Sequence, residues 1–411
     1  GTSDYPYVIE SAEQLNAIRD FPGSNFILMN DISLNGAEWT PFQFYGTFDG
    51  NGYCVYDFSI ISGTNEGGDA FGFFSENHGT VKNLTLGKQG SEPSVKIDID
   101  KHLDGYTMVG GIAGINHKDI INCNVVNADI NVYGKNKEET SASIRRIGGI
   151  AGENRGVISD CTVAVSKIYG EAKAHYKSFR KNKNAYAVVG GIVGSNNLDG
   201  KFESKISKSF SYGNELFAYA HSRLMSDKEG VSFAYCGGIV GESESTNDAD
   251  SKNLSGIAIS NKIGGRTYDD RDGKEIYDKK KLRIDNIVAN GSSSADDCYY
   301  IDKTDGKGNI DFESADVKEK YPALSGWNKT DVIYIYEVWR TDNFYKEIKS
   351  VVGDEISYSS VRPEYKDDMG YVNKSIFRID SAYNTSVPGT SEVQIIGYGG
   401  EQRSVAVKVD P

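Results

Sequence analysis

Met108–Cys123, MVGGIAGINHKDIINC, returns as Arg146–Cys161, RIGGIAGENRGVISDC, 38 residues further along the chain. GGIAG and Ile-x-x-Cys stand in register in both copies, with Asn122 or Asp160 just before the cysteine. The fold turns on whether such a block carries chemistry or builds architecture. No helical pattern follows the glycines, so a phosphate-cradling loop is disfavoured. Paired glycines in a strand instead signal close backbone approach or a corner.

Working outward, the apolar part of the block recurs: one residue, two linkers, then two apolar residues spaced by one. Copies read Val55/Phe58/Ile60, Val81/Leu84/Leu86, Ile120/Cys123/Val125, Ile158/Cys161/Val163, Leu254/Ile257/Ile259 and Ile284/Ile287/Ala289, with a degenerate Ile206/Ser209/Ser211. A spacing of three breaks strand alternation. A bend at the preceding Asp57, Asn83, Asn122, Asp160, Gly256 or Asn286 restores it, because these residue types tolerate corner dihedrals; Lys208 is the exception. Each copy is therefore expected to be a strand end, a corner and a strand start, both inward-facing. The glycine block recurs as GGIVG at Gly190–Gly194 and Gly237–Gly241, and as FGFFS at Phe71–Ser75. Successive copies lie 26 to 48 residues apart, as in a solenoid whose loops bulge between coils. A right-handed parallel β-helix follows, with corresponding positions stacked roughly 4.8 Å apart. Leu84, Cys123 and Cys161 should then occupy consecutive rungs as an inward ladder of reduced thiols and aliphatics.

The exposed edge of such a helix needs a cover. Ser11–Gln14 has capping-box spacing, and Leu15 and Ile18 give a short N-terminal capping helix one apolar side. Phe26–Leu34 reads as a first strand, and Phe44–Ile60 as a hairpin-like lead-in turning at Gly50 and Gly52.

The blocks GGIAGINHKDIINC and GGIAGENRGVISDC resemble the GLUG-motif family, with GGIVGSNN and GGIVGESE matching only its first half. SAEQLNAIRD, FILMNDISL and GTFDGNGYCVYDF resemble the segment that precedes such repeats, and DDCYYIDK the stretch that follows them. This resemblance, over about residues 5–327, implies a β-helical, adhesin-like bacterial cell-surface protein and brings no catalytic residue. Some relatives attach the module to peptidases with an H-E-x-x-H zinc motif, absent here. YNTSVPGTSEVQI with SVAVKV resembles the last strands of bacterial immunoglobulin-like modules. The expected domains are residues 1–330, the β-helix, and residues 331–411, a small Ig-like β-sandwich domain. In the latter, Val332–Trp339 is strand-like, Arg340–Val352 could be a helix, and Ser391–Val409 alternates across Gly399-Gly400.

Composition sets the function classes. The 411 residues carry 46 Gly, 26 Tyr and 8 Pro, which suits short strands and turns. A net charge of −13 argues against nucleic acid, despite the basic loop Lys173–Lys183. Five cysteines without CxxC leave at least one unpaired. No apolar run reaches a membrane span and no signal peptide is recognisable, so an exported chain would begin after a removed leader.

No catalytic, cofactor-binding or metal-ligating residue is assigned. His78, His102, His117, His175 and His221 are scattered; His78 and His117 take adjacent-coil turn positions followed by Arg155, which stacking explains better than a metal site. Asp98, Asp100 and Asp104 cluster in one loop, and Asp269, Asp270 and Asp272 in another, as solubilising charge would. Asp302–Glu313 looks like a calcium loop, but Lys307 stands where glycine is required. The expectation is a monomeric, non-catalytic, extracellular binding or adhesion protein that recognises a host or matrix protein or glycan. Its contact surface would be the inserted loops Ile168–Ala187, Asp199–Ser232 and Gly264–Lys281. The alternatives are a carbohydrate-active enzyme (lyase or hydrolase) or a structural spacer.

Overall fold

The computed structural model describes residues 1–61, 69–88, 92–101, 105–134, 143–175, 184–196, 204–224, 232–243, 254–259, 261–271, 274–276, 282–291, 297–301, 335–336, 347–351, 374–379, 388–397 and 402–410. Among the described residues the chain is all-β apart from one short helix and a 3-10 turn. It divides into two compact units, Gly1–Lys88 with Pro93–Tyr300, and Ile301–Pro411 with Gln89–Glu92.

The first unit is a parallel β-helix. One coil runs through Gly105–Gly110, Ala113–Asn116, Asp119–Ile121, Asn124–Val126 and Ala128–Gly134. Each strand pairs parallel with its counterpart in the next coil: Ser143–Gly148, Ala151–Asn154, Val157–Ser159, Thr162–Ala164 and Lys167–His175. These define five ladders, named here first to fifth in chain order. Thr85 pairs with Asn124 and Asn124 with Thr162, so Leu84, Cys123 and Cys161 fall on consecutive rungs, all fully buried. Ser209 takes the next rung, its hydroxyl accepting from Cys161 N at 3.4 Å. Both cysteines are free thiols. Burial, then the neighbouring Cys123, pushes the Cys161 thiol well above its ordinary range, as befits a small apolar filler.

The corners work as the Asn/Asp pattern implies. Asn83, Asn122, Asp160 and Lys208 hold φ between 48° and 55°, joining the third ladder to the fourth. A second left-handed column, Asn127, Val165 and Gly213, joins the fourth to the fifth. Asp57 belongs to this second corner. Val55 accordingly pairs with Leu86, and Phe58 with Val95, one strand later than the triplet alignment placed them. Phe48 is the residue that stacks on Val81. Gln43–Phe44, Thr47–Asp49 and Cys54–Ile61 are thus parallel sides of a coil, not a hairpin. Leu254/Ile257/Ile259 shifts by a residue, since a shorter corner brings Gly256 opposite Ser209. Ile284 pairs with Cys236 and Val288 with Val240, so the Ile284/Ile287/Ala289 copy lies on the glycine-block ladders.

The glycine block has a steric origin. A Cβ on Gly148 would sit 2.2 Å from Ala151 O and 2.7 Å from Gly194 N, and one on Gly149 2.5 Å from Gly191 O. The first and second ladders meet backbone to backbone there, leaving no room for a side chain. Past that corner runs a buried amide ladder. Asn77 Nδ2 donates to Asn116 Oδ1, Asn116 Nδ2 to Asn154 Oδ1 and Asn154 Nδ2 to Asn196 Oδ1, each at 2.9 Å.

At the N-terminal end Tyr7–Ile9 is the first strand, paired with Asn25–Leu28; Phe26–Leu34 is two strands, because Asn30 and Asp31 interrupt it. Helix Ala12–Ala17 is capped by Ser11, whose hydroxyl accepts from Gln14 N at 3.3 Å, while Glu10 N donates to Gln14 Oε1 at 2.6 Å. Leu15 and Ile18 are fully buried and close the core.

In the second unit the described strands form one sheet in the order 335–336, 374–379, 389–397, 402–410, 347–351. Gly389–Gly397 and Gln402–Asp410 make the antiparallel tail pair, with Val393 opposite Val405. Glu347–Val351 is a strand parallel to Gln402–Asp410, where a helix was an option. The described residues make one sheet and show no sandwich partner. A boundary at 330/331 lies outside them, as does the Asp302–Glu313 calcium-like loop.

Candidate functional site

The strands of the fifth ladder build the most developed surface. Their inward positions carry Ile130, Ile168 and Leu216, then Val132, Gly170 and Ala218. Alternation sends the intervening residues outward. One outward column reads Lys96, Asp129, Lys167, Glu215, Lys262, alternating in sign at every rung. The adjacent column reads Asp98, Asn131, Tyr169, Phe217, Gly264.

Together these columns line an open groove of about 420 Å³ between Asp129, Tyr133, Tyr169, Phe217 and Lys262. Tyr133 and Tyr169 are 5.6 Å apart by ring centroids, and Tyr169 lies parallel to Phe217 at 6.0 Å. Gly264 ends the row without a side chain; a Cβ there would meet Phe217 Cδ2 at 2.9 Å. The edge of the Phe217 ring thus leans over Gly264, and Phe217 remains 38% exposed. Lys262 Nζ stands 3.6 Å from Glu215 Oε1 beside it.

At the other end Asn131 Nδ2 donates to Asp98 Oδ1 at 3.1 Å and to Asp129 Oδ1 at 3.0 Å, joining carboxylates of two coils. Burial raises the Asp129 pKa above the usual carboxylate range, and Asp98 adds to this, against Asn131 and Lys167. Burial and Asp98 push the Tyr133 phenol up, and burial and Glu171 push Tyr169 up, so both remain hydroxyl donors.

A second polar cluster lies at the turn after the second ladder. His78 and His117 stack at 4.2 Å and 9°, with Tyr45 on the far face of His78 at 4.8 Å. Both Nε2 atoms face Glu76 Oε2, at 3.1 and 3.0 Å. Gln43 Nε2 holds Glu76 Oε1 at 3.1 Å, and Tyr45 OH donates to Gln43 Oε1 at 2.7 Å. Burial pulls the Glu76 pKa up, but hydrogen bonds from Gln43 and His117 outweigh it and leave the carboxyl low. Burial, then His78, lowers the His117 pKa. Arg155 continues the column, engaged with Glu153 at 2.6 Å.

The structure thus brings His78, His117 and Arg155 together as the turn positions implied, and adds Glu76. Asp98 and Asp100 lie on strand Val95–Lys101, and Asp269 and Asp270 on Lys262–Arg271, so these four are strand residues where a loop was expected. His102, Asp104 and Asp272 fall outside the described residues. The expected inserted loops contain strands: Lys167–His175 in the first, Lys205–Tyr212 and Glu215–Leu224 in the second, and Lys262–Arg271 in the third. Among the described residues no helix is long and apolar enough to cross a membrane.

No protein-family model matches the chain. A protein of Evansella cellulosilytica, provisionally named a Gly-rich membrane protein, is 35% identical over 99 residues, covering 21% of this chain and 11% of that relative. The chain thus matches only a small part of the relative's length. A solved structure from Bacteroides ovatus, provisionally described as an immunoglobulin A1 protease, is aligned over 71% of this chain and 86% of that one, at 19% identity and a TM-score of 0.29. The GLUG and immunoglobulin-like resemblances rest on the residues quoted for them.

Proposed function

We propose that this is a cell-surface or secreted bacterial binding protein whose ligand is a glycan, held in the fifth-ladder groove without being cleaved. One observation carries the reading: aromatic rings recur rung by rung beside a column of alternating charge, and the last of them, Phe217, is exposed. Sugar rings offer apolar C–H faces to aromatic planes and hydroxyls to carboxylates and ammonium groups. A concave site with aromatic lining and a few convergent polar groups suits such a ligand. The rung spacing of about 4.8 Å lets successive sugars meet equivalent positions. The GLUG resemblance and the Gly-rich membrane relative support surface display.

Glycan-array screening of the full chain, followed by calorimetry on the best binder, tests this. Phe217→Ala is expected to weaken binding by about 2 kcal/mol, or ~30-fold, as loss of a central aromatic anchor does. Its melting temperature should stay near the parent's, because the ring is largely outside the core. Absence of any glycan binding, or full affinity in Phe217→Ala, overturns the reading.

A second reading, a polysaccharide-cleaving enzyme, is favoured by the Asp98–Asn131–Asp129 arrangement, since acid/base cleavage uses a pair of carboxyls and burial raises the pKa of one of these, Asp129. Reducing ends released from an acidic polysaccharide, and lost in Asp129→Asn, would replace binding by catalysis. No release is expected.

A further inference from the structure

We propose that Glu76, His78 and His117 form a binding site for a divalent transition-metal ion of the zinc class, with one coordination position open to solvent. The three side chains offer one ligand atom each, all within 4.8 Å of one another. Two imidazoles and one carboxylate are a donor set that zinc takes with a water in fourth place, whereas calcium and magnesium require more oxygens. A tetrahedral ion held at ~2.05 Å needs donors about 3.3 Å apart. The two nitrogen-to-oxygen separations are 3.0 and 3.1 Å, close to that value, and the stacked imidazoles, 4.2 Å apart and 9° from parallel, must splay by rotation about their side-chain bonds to aim both Nε2 lone pairs at the ion.

Three features show that the site is prepared rather than incidental. The residue before each histidine, Asn77 and Asn116, is locked in the buried amide ladder, which fixes the rung positions of His78 and His117. Gln43, itself held by Tyr45, orients the carboxylate through its other oxygen, as supporting partners do at metal sites. Both imidazoles also aim Nε2 at the same oxygen, an arrangement in which one ion replaces two competing N–H donors.

The neighbouring coil supplies a contrast. Ile115 takes the carboxylate's place on the next rung, and Glu153 beyond it is occupied by Arg146 and Arg155 at 2.8 and 2.6 Å. The cluster is therefore particular to one pair of coils and not a repeat ornament. Side-chain exposures of 30%, 21% and 21% for His78, Glu76 and His117 leave a path to solvent.

Calorimetric titration of the chelator-treated full chain with ZnCl₂ tests the site, with CoCl₂ as a spectroscopic probe. Expected are one bound zinc per chain, visible cobalt bands of tetrahedral type, and no heat with CaCl₂ or MgCl₂. His117→Ala, with its fold checked by an unchanged melting curve, should weaken zinc binding ~100-fold, and Gln43→Leu about tenfold. Absence of zinc uptake by the parent, octahedral cobalt spectra, or uptake unaltered in both His117→Ala and Glu76→Gln would overturn the assignment.

Discussion

Gly148→Ala is expected to remove soluble, protease-resistant protein, or, where some folds, to lower the thermal midpoint by ~10 °C. The added methyl would lie 2.2 Å from Ala151 O and 2.7 Å from both Gly194 N and Ile192 O. All three are backbone atoms in ladders pinned on both sides, so nothing can rotate away. The first and second ladders must part, costing of order 4 kcal/mol or more, the exceptional end of single substitutions. Gly170→Ala is the calibrating contrast. Its methyl meets Ile147 Cδ1 at 2.6 Å and Val189 Cγ2 at 2.8 Å, side-chain atoms that can change rotamer. About 1–2 kcal/mol is expected there. Gly23→Ala, with nothing within 4 Å, should be neutral. Thermal melts and limited proteolysis of the three variants decide it; if Gly148→Ala melts with the parent, the backbone-to-backbone account of the repeat's glycines fails.

That steric rule explains why so much of the fold was legible. GGIAG and Ile-x-x-Cys report constraints local to one coil, namely a side-chain-free corner and a left-handed residue between inward apolar groups. Position along the coil was harder to read. The corner at Asn122 and the corner at Asn127 both need a left-handed residue followed by inward apolar groups, so spacing could not distinguish them. The Val55/Phe58/Ile60 spacing fits either corner, and the structure puts it at the second.

The groove was hidden by small residues. Lys167–His175, KIYGEAKAH, turns Ile168, Gly170, Ala172 and Ala174 inward, and Glu215–Leu224 does the same with Leu216, Ala218 and Ala220. Small inward residues lower mean hydropathy, and both strands looked like polar loops. The signal that could have found them is period-two alternation of Ala or Gly with Tyr, Phe, Glu and Lys. Glu76 is not legible in the repeat because its coil departs from it, with FGFFS replacing GGIAG, and because only stacking brings His117 back to it.

Asn116→Leu tests the other device that ties coil to coil, and is expected to cost about 3 kcal/mol. Asn116 Oδ1 accepts from Asn77, while its Nδ2 donates to Asn154 Oδ1 at 2.9 Å and to Lys118 O at 3.0 Å, and the three asparagines are fully buried. Leucine matches the volume but leaves those groups short of partners in a medium that makes the loss expensive. Among the described residues Asn196, at the ladder's end, takes part in one such bond, from Asn154, and Asn196→Leu should cost less than half as much. Asn116→Asp separates hydrogen bonding from shape. Its carboxylate would face Asn154 Oδ1 and the Lys118 carbonyl, so burial and these oxygens raise its folded pKa above the unfolded value. The charged form then carries a penalty that is full above the folded pKa and fades as pH falls toward the unfolded one. Asn116→Asp should therefore lose less stability relative to the parent at pH 4 than at pH 7, whereas the Asn116→Leu deficit stays flat. Denaturant midpoints at the two pH values measure this. A pH-independent deficit in Asn116→Asp would mean that the amide column fills space without donating.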